Sequence, residues 1–420
     1  MTLRIATAQA YDTTIQNLQK RQQDLSESQM QLTSGKRVNA ASDDPTAAAR
    51  AERALASMAR SDADKRSLDA SRNVMNITES ALGDAVDLMQ TARETLVAAG
   101  NGSYSDGERK ALAVKLSNIR DQLLAVANRP DGGGGFVFGG QGSATPPFVD
   151  GTTGVQFIGQ GGETQASSSE KLNLTVDGSQ VWLKARGGNG VFTTAPGTNV
   201  NTSGPNTGSA WITSGTVTAP SQLPYPTASG GTSPSYSVQF HVSGATTTYD
   251  VLDNSTTPAT TLSSGQPFAS GKSIDITGKG MAVSISGAPA DGDSFTIGES
   301  LNNLNVFASL DKTIAALNTA NAPAGSVQQA VNTGMTEIDS VLGNIQSARS
   351  AVGESLNRMD GIGNRIDTLK LAAQTEKSNA EDLDMTQAIS TFQNRQTGYQ
   401  VALQSYASVQ KLSLFQYING

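Results

Sequence analysis

Residues 8–32 read AQAYDTTIQNLQKRQQDLSESQMQL, and the fold of the whole chain turns on this stretch. Ala8, Tyr11, Ile15, Leu18, Gln22, Leu25, Gln29 and Leu32 follow one another at alternating steps of three and four residues. That is a heptad seam, and it sets these side chains on one stripe of one helix. At about 1.5 Å per residue such a helix is roughly 37 Å long. Gln22 and Gln29 leave the stripe only half apolar, so the helix requires a partner. A matching seam lies at the far end: Ile389, Phe392, Gln396, Tyr399, Leu403 and Tyr406, spaced three and four again. The two termini are expected to pair and to carry everything between them.

Proline placement supports this division. None occurs from Thr46 to Arg129 and none after Pro323, so most of the 14 lie in the middle. Proline breaks helix interiors, which leaves the two ends free to form long helices. Gly35 suits the C′ position of the first helix, and Asp44-Pro45 suits the N-cap and first turn of the next, with Asp43 also near its positive end. That helix is expected to run to about Ala99, with Val74, Ile77, Ala81, Ala85, Leu88 and Ala92 on one stripe. Ser105 and Glu108 form a capping box for a third helix ending near Asn128.

From about Val149 to Ile297 the apolar period becomes two. Leu172, Leu174 and Val176 followed by Asp177-Gly178, Val181 and Leu183 predict a hairpin. Tyr236, Val238, Phe240 and Val242 predict a strand, as do Met281, Val283 and Ile285. Helical spacing returns near Leu301, and a long seam runs through Ile338, Leu342, Ile345, Arg349, Val352, Leu356, Met359, Ile366 and Leu369 and on through Ala373, Ala380 and Leu383. The fold class is therefore α+β: long terminal helices paired as a coiled-coil-like bundle around an inserted antiparallel β domain. The expected division is 1–40 with 385–420 for the terminal helices, 41–140 with 301–384 for a helical bundle, and 141–300 for a β-rich outer domain of one or two subdomains.

Composition narrows function. The chain has 420 residues, a net charge of −7, no cysteine and one histidine. Disulfides, thiolate metal sites and cysteine nucleophiles are excluded, and multi-histidine metal cages with them. No basic patch points to nucleic acid, and no apolar run points to a membrane span. Residues 1–11 lack the basic start and apolar core of a cleaved secretory signal, so the chain is expected to stay inside or to leave by another route. The glycine-rich run Asp131–Gly140 follows a helix and opens a β region, unlike a phosphate-binding loop, and reads as a hinge. Ser270-Gly-Lys-Ser273 lacks the P-loop glycine, since Gln266 stands there. His241 reads as an exposed strand residue and Asp291-Gly-Asp293 as a turn. No catalytic, cofactor or metal site is expected. The tail Leu412–Ile418, with Leu414 and Phe415, is apolar to its end, which suits a surface covered by another subunit.

Ser34-Gly-Lys-Arg-Val-Asn39 and Ala41-Ser-Asp-Asp-Pro45 resemble the N-terminal motifs of the flagellin superfamily, and Asp384-Met-Thr-Gln-Ala388 and Ser413-Leu-Phe-Gln-Tyr417 resemble its C-terminal ones. Phe136-Val-Phe-Gly-Gly140 with Thr145-Pro-Pro-Phe148, and the segment 273–295, look like its hook-associated branch more than its filament flagellins. The resemblance implies a structural axial protein of the bacterial flagellum, exported by the flagellar type III apparatus. It would sit as a ring of copies at the hook–filament junction, between hook-associated protein 1 and flagellin, with a cytoplasmic export chaperone holding the C-terminal helix before export. A flagellin-like filament subunit is the alternative, and an enzyme carried on the β region a third. The assembly interface expected from the seams comprises Ile15, Leu18, Leu25, Leu32, Ile389, Phe392, Tyr399, Leu403, Tyr406, Leu414 and Phe415.

Overall fold

The computed structural model describes residues 2–142, 144–166, 171–228 and 231–418, and side chains within residues 12–408 of these ranges. Three helices open the chain: α1 (Thr2–Ser34), α2 (Pro45–Ala99) and α3 (Asp106–Ala127). Three more close it: α5 (Val306–Asn318), α6 (Ala324–Glu381) and α7 (Met385–Ile418). Between them lie the strands and a short helix, α4 (Gly178–Trp182). This is the expected architecture of long terminal helices around an antiparallel β insertion. The chain divides into two compact units, 1–66 with 361–420, and 67–360, and it passes from one to the other within α2 and within α6.

The helix starts follow local chemistry. Asp44 Oδ1 accepts from the N–H groups of Thr46 and Ala47 at 3.1 and 3.0 Å, with Pro45 in the first turn. Ser105 and Glu108 cap α3 reciprocally, as their spacing predicts. Gly35 ends α1 at φ +68°, a conformation that disfavours a side chain.

In unit 67–360, α3 packs against α5. Arg120, buried on α3, donates from Nε and Nη2 to Asp311 of α5 at 2.9 and 3.2 Å, and from Nη2 to Asp150 at 2.9 Å. Asp150 belongs to β1 (Phe148–Gly151), which pairs with β2 (Gly154–Phe157). The guanidinium holds the Asp150 carboxyl below its ordinary range. Beside it Phe138, Phe148, Trp182 and Phe307 form an aromatic cluster, with Phe138 edge-on to Trp182 at 5.4 Å between centroids. Along α2 and α6 the pairs Glu79–Arg349 (2.6 Å) and Arg93–Asp339 (2.8 Å) run in antiparallel order. Such exposed pairs contribute about 0–1 kcal/mol each and serve orientation more than stability.

The β insertion is two antiparallel sheets on one core. The larger has the order β4 (Phe192–Pro196), β12 (Ser294–Glu299), β7 (Tyr236–Ser243), β8 (Thr246–Asp253) and β9 (Thr260–Pro267). The smaller comprises β10 (Ser273–Ile276), β11 (Met281–Ser286) and the two-residue strands β5 (Trp211–Ile212) and β6 (Thr216–Val217). Another short pair joins β3 (Ala185–Arg186) to β13 (Asn302–Leu304). Tyr236, Val238, Phe240, Phe295 and Ile297 of the larger sheet meet Ile274, Met281, Val283 and Ile285 of the smaller. Asp291 and Asp293 form the expected turn. The buried Asp293 carboxylate accepts from the N–H groups of Thr207, Gly208 and Ala290 at 2.8–2.9 Å.

Two expectations fail here. Asp177-Gly178 is no hairpin turn: Asp177 caps α4, accepting from Ser179 N–H at 2.9 Å, and its other oxygen accepts from Gly162 N–H at 2.9 Å. Val181 and Trp182 are consecutive and both buried, which a half-exposed strand would not allow. The run Asp131–Gly140 is no hinge either. Asp131 Oδ1 accepts from Gly133 and Gly135 N–H at 2.7 and 2.9 Å, closing a tight turn. Val137 to Gly140 are then buried, with Gly140 bridged to Gln160.

Candidate assembly interface

In unit 1–66 with 361–420, α1 packs along α7. On α1, Ile15, Leu18, Leu25 and Leu32 are half-buried, and on α7 so are Phe392, Tyr399 and Tyr406. Ile389 and Leu403 fall on the flank of α7 instead, 47% and 42% exposed, next to Met385 at 46%. Successive helical residues are about 100° apart, so these three sit beside the face that meets α1 rather than opposite it. The side chains of Leu414 and Phe415 lie outside the described residues. Gln22 and Gln29 do not occupy the seam. Both are exposed, and beside Gln29 the buried polar position is Ser28, one residue earlier, at 4% exposed. A straight helix drifts from a strict heptad, and that drift carries the contact from one position to its neighbour.

Sequence reasoning missed the polar contacts of this pair. Arg395 of α7 donates from Nη1 to Ser28 Oγ at 2.6 Å and to the Asp24 carbonyl at 2.7 Å. Gly398 follows one turn later, and a Cβ there would stand 2.8 Å from Nη1 of Arg21. The only trace in the sequence is small residues, Ser28 and Gly398, inside long polar helices.

The connector after α1 and the one before α7 are joined to each other. Arg37 N–H donates to the Glu381 carbonyl at 2.6 Å, and Leu383 N–H to the Gly35 carbonyl at 3.1 Å. Arg37 Nη2 donates to the Ala380 carbonyl at 2.9 Å, and Nη1 pairs with Asp44 at 3.2 Å. Val38, Ala47, Ala51 and Ala380 bury one another beneath these bonds. Two motifs separated by most of the sequence, Ser34–Pro45 and Asp384–Ala388, thus belong to one knot and its outgoing helix. Asp384 caps α7, accepting from Thr386 N–H at 3.0 Å.

The knot depends on carboxylates. The N–H groups of Ala40 and Asn39 hold the Asp43 carboxyl below its ordinary value, and the N–H of Ala47 with the Arg37 guanidinium does the same for Asp44. Groups whose folded values are depressed support the fold above the unfolded value of about 3.9 and lose that support as pH falls through the folded values. On acidification below about pH 4, the amide resonances of Asn39, Ala40, Thr46 and Ala47 should shift together as the turn loosens. Constant shifts down to pH 2 would show that the carboxylates do not hold it.

A cavity of about 590 Å³ in unit 67–360 lies between β4, α5 and the start of α6. Its ionisable lining groups are Lys312 and Glu337, and Glu337 accepts from Ser309. His241 is exposed on β7, 3.2 Å from Asp250. Among the described residues no group of three or more metal-binding side chains converges, and no helix is long and apolar enough to cross a membrane.

Residues 5–143 match the bacterial flagellin N-terminal helical region and residues 335–418 the bacterial flagellin C-terminal helical region. Together these stretches span more than half the chain. The flagellar hook-associated protein 3 of Escherichia coli K12 is 22% identical over 418 residues, 99% of each chain. That of Salmonella typhimurium is 31% identical over 180 residues, 43% of this chain and 57% of the Salmonella protein. The chain belongs to the hook-associated protein 3 branch of the flagellin family. The crystal structure of the flagellar junction protein FlgL from Legionella pneumophila agrees, with a TM-score of 0.66 at 25% identity over 79% of this chain and all of that one. Membership of the branch makes this a protein of the bacterial flagellum. The α1–α7 pair and the knot both lie within the regions that match flagellin, whereas the β insertion lies between them.

Proposed function

We propose that this chain is the adaptor between hook and filament, acting outside the cell as a ring of copies joined through their terminal helices. Hook-associated protein 1 on one side and flagellin on the other are the partners we assign to it. A cytoplasmic chaperone is the partner we assign to α7 before export. The role is mechanical rather than catalytic. One observation carries the reading: the α1–α7 pair covers only one side of α7 and leaves Met385, Ile389 and Leu403 half-exposed along its flank. Apolar side chains in a row on a helix beside an existing contact suit a further helix, here from a neighbouring subunit. The interface residues we assign are those of both seams, with the flank positions facing the neighbour.

The test is location. An epitope inserted between β8 and β9, in the exposed turn around Thr256, should be labelled by immunogold as a single band where hook meets filament. Removing the protein should leave hooks without filaments and flagellin in the medium. Label spread along the filament would instead identify a filament subunit.

A further inference from the structure

The apolar part of the α1–α7 contact repeats itself. On α1 the half-buried Leu18, Leu25 and Leu32 lie seven residues apart, and on α7 Phe392, Tyr399 and Tyr406 do the same. Sliding one helix past the other by seven residues replaces leucine by leucine and aromatic ring by aromatic ring. Burial alone therefore separates the correct register poorly from its neighbours along the helices, because it is non-directional, and the knot, where Leu383 N–H donates to the Gly35 carbonyl, ties the pair at one end.

The polar contacts do not repeat. Nη1 of Arg395 sits between Ser28 Oγ at 2.6 Å and the Asp24 carbonyl at 2.7 Å, while Ser28 Oγ itself donates to that carbonyl at 3.0 Å. In return Arg21 of α1 lies over Gly398 of α7, with Nη1 2.8 Å from where a Cβ would be. Glycine inside a helix costs about 1 kcal/mol relative to alanine, so its presence there needs a reason, and Arg21 supplies one. A slide of seven residues in one direction sets Arg395 where Arg21 lies, cation against cation. In the other it carries Arg395 to Gly35, past the end of α1 at Ser34. One wrong register sets the two arginines against each other, and the other leaves Arg395 without its partners.

We infer that this reciprocal clasp, Arg395 on Ser28 and Arg21 over Gly398, fixes the register of the terminal helix pair. Arg395 and Arg21 are positioning residues: they select one alignment among several of similar apolar burial. A single polar residue at a seam position of a coiled coil acts in the same way. The inference concerns the single chain and stands apart from where that chain is placed in the flagellum.

The chain has no cysteine, so spin labels can be set at two introduced ones. Asn17→Cys and Gln393→Cys place them at exposed positions on α1 and α7 of the full-length protein. Pulsed EPR should give one distance in the otherwise native chain. With a short Gly-Ser insert after Ser34 to free α1 from the knot, the native pair should keep that one distance, and Arg395→Met should add a second population, displaced along the axis by about 10 Å, one heptad at 1.5 Å per residue. Ser28→Leu with Arg395→Met keeps the contact apolar and guards against simple melting, and it should show the same split with helicity retained. A broad distribution in the native chain overturns the inference. So does a single unshifted distance in both variants, or melting of the pair in the double variant.

Discussion

Ile389→Glu with Leu403→Glu should abolish incorporation into the flagellum and leave the free subunit as stable as before. Both side chains are half-exposed on the flank of α7, so neither removal opens a cavity in the monomer. Exposed substitutions of this kind change stability by no more than about 0.5 kcal/mol. In the proposed ring the balance differs. Covering the exposed half of each apolar side chain contributes about 1 kcal/mol, since burying a whole one contributes about 1.5–3 kcal/mol. Each carboxylate in its place adds a desolvation penalty of roughly several kcal/mol at every subunit contact. Two such sites are enough to shift an assembly equilibrium by more than about 10⁴-fold, since each 1.4 kcal/mol is a factor of ten. The measurements are thermal unfolding of the purified chain and filament counts in cells carrying it as the only copy. Normal filament numbers would remove this flank from the interface.

Large-scale organisation was legible in the sequence because it rests on periodicity. The heptad steps at Ile15, Leu18, Leu25 and Leu32, the proline-free ends and the cap at Asp44-Pro45 each have one local meaning. What was not legible depended on distant groups. Gln29 fits a strict heptad as well as Ser28 fits the observed stripe, and only the partner helix decides between positions one residue apart. Asp177-Gly178 has the chemistry of a hairpin turn and equally of a helix start. The hydrogen bond from Gly162 and the backbone of Phe138, whose carbonyl would stand 2.5 Å from a Cβ at Gly178, settle it. The clasp left no periodic signal, because one arginine and one glycine form no pattern. The knot was half-visible: the caps at Asp43 and Asp44 could be read, but not the bonds from Arg37 to the chain around 380–381.

The same dependence on distant groups separates two glycines of one run. Gly132 and Gly140 belong to the same run and both have positive φ, +81° and +68°. A Cβ at Gly132 would meet nothing within 4 Å, whereas at Gly140 it would stand 1.8 Å from the Gln160 carbonyl oxygen. Gly140 is also the centre of a crossing. Its N–H donates to the Val176 carbonyl at 3.2 Å, and its carbonyl accepts from Thr164 Oγ1 at 3.2 Å and from Thr175 Oγ1. Gly132→Ala is expected to cost only the backbone preference, about 1–2 kcal/mol. Gly140→Ala adds an overlap that no rotamer relieves, because a Cβ does not rotate away. The segments around Gln160 and Thr175 must separate, and their hydrogen bonds go with them at about 1 kcal/mol each or more once buried groups are left unpaired. A loss above about 4 kcal/mol is expected, at the extreme of single substitutions. Urea unfolding followed through Trp182, buried among Phe138 and Phe307, reads both variants in the same unit. If the two midpoints fall together, close approach at Gly140 is not what its glycine provides.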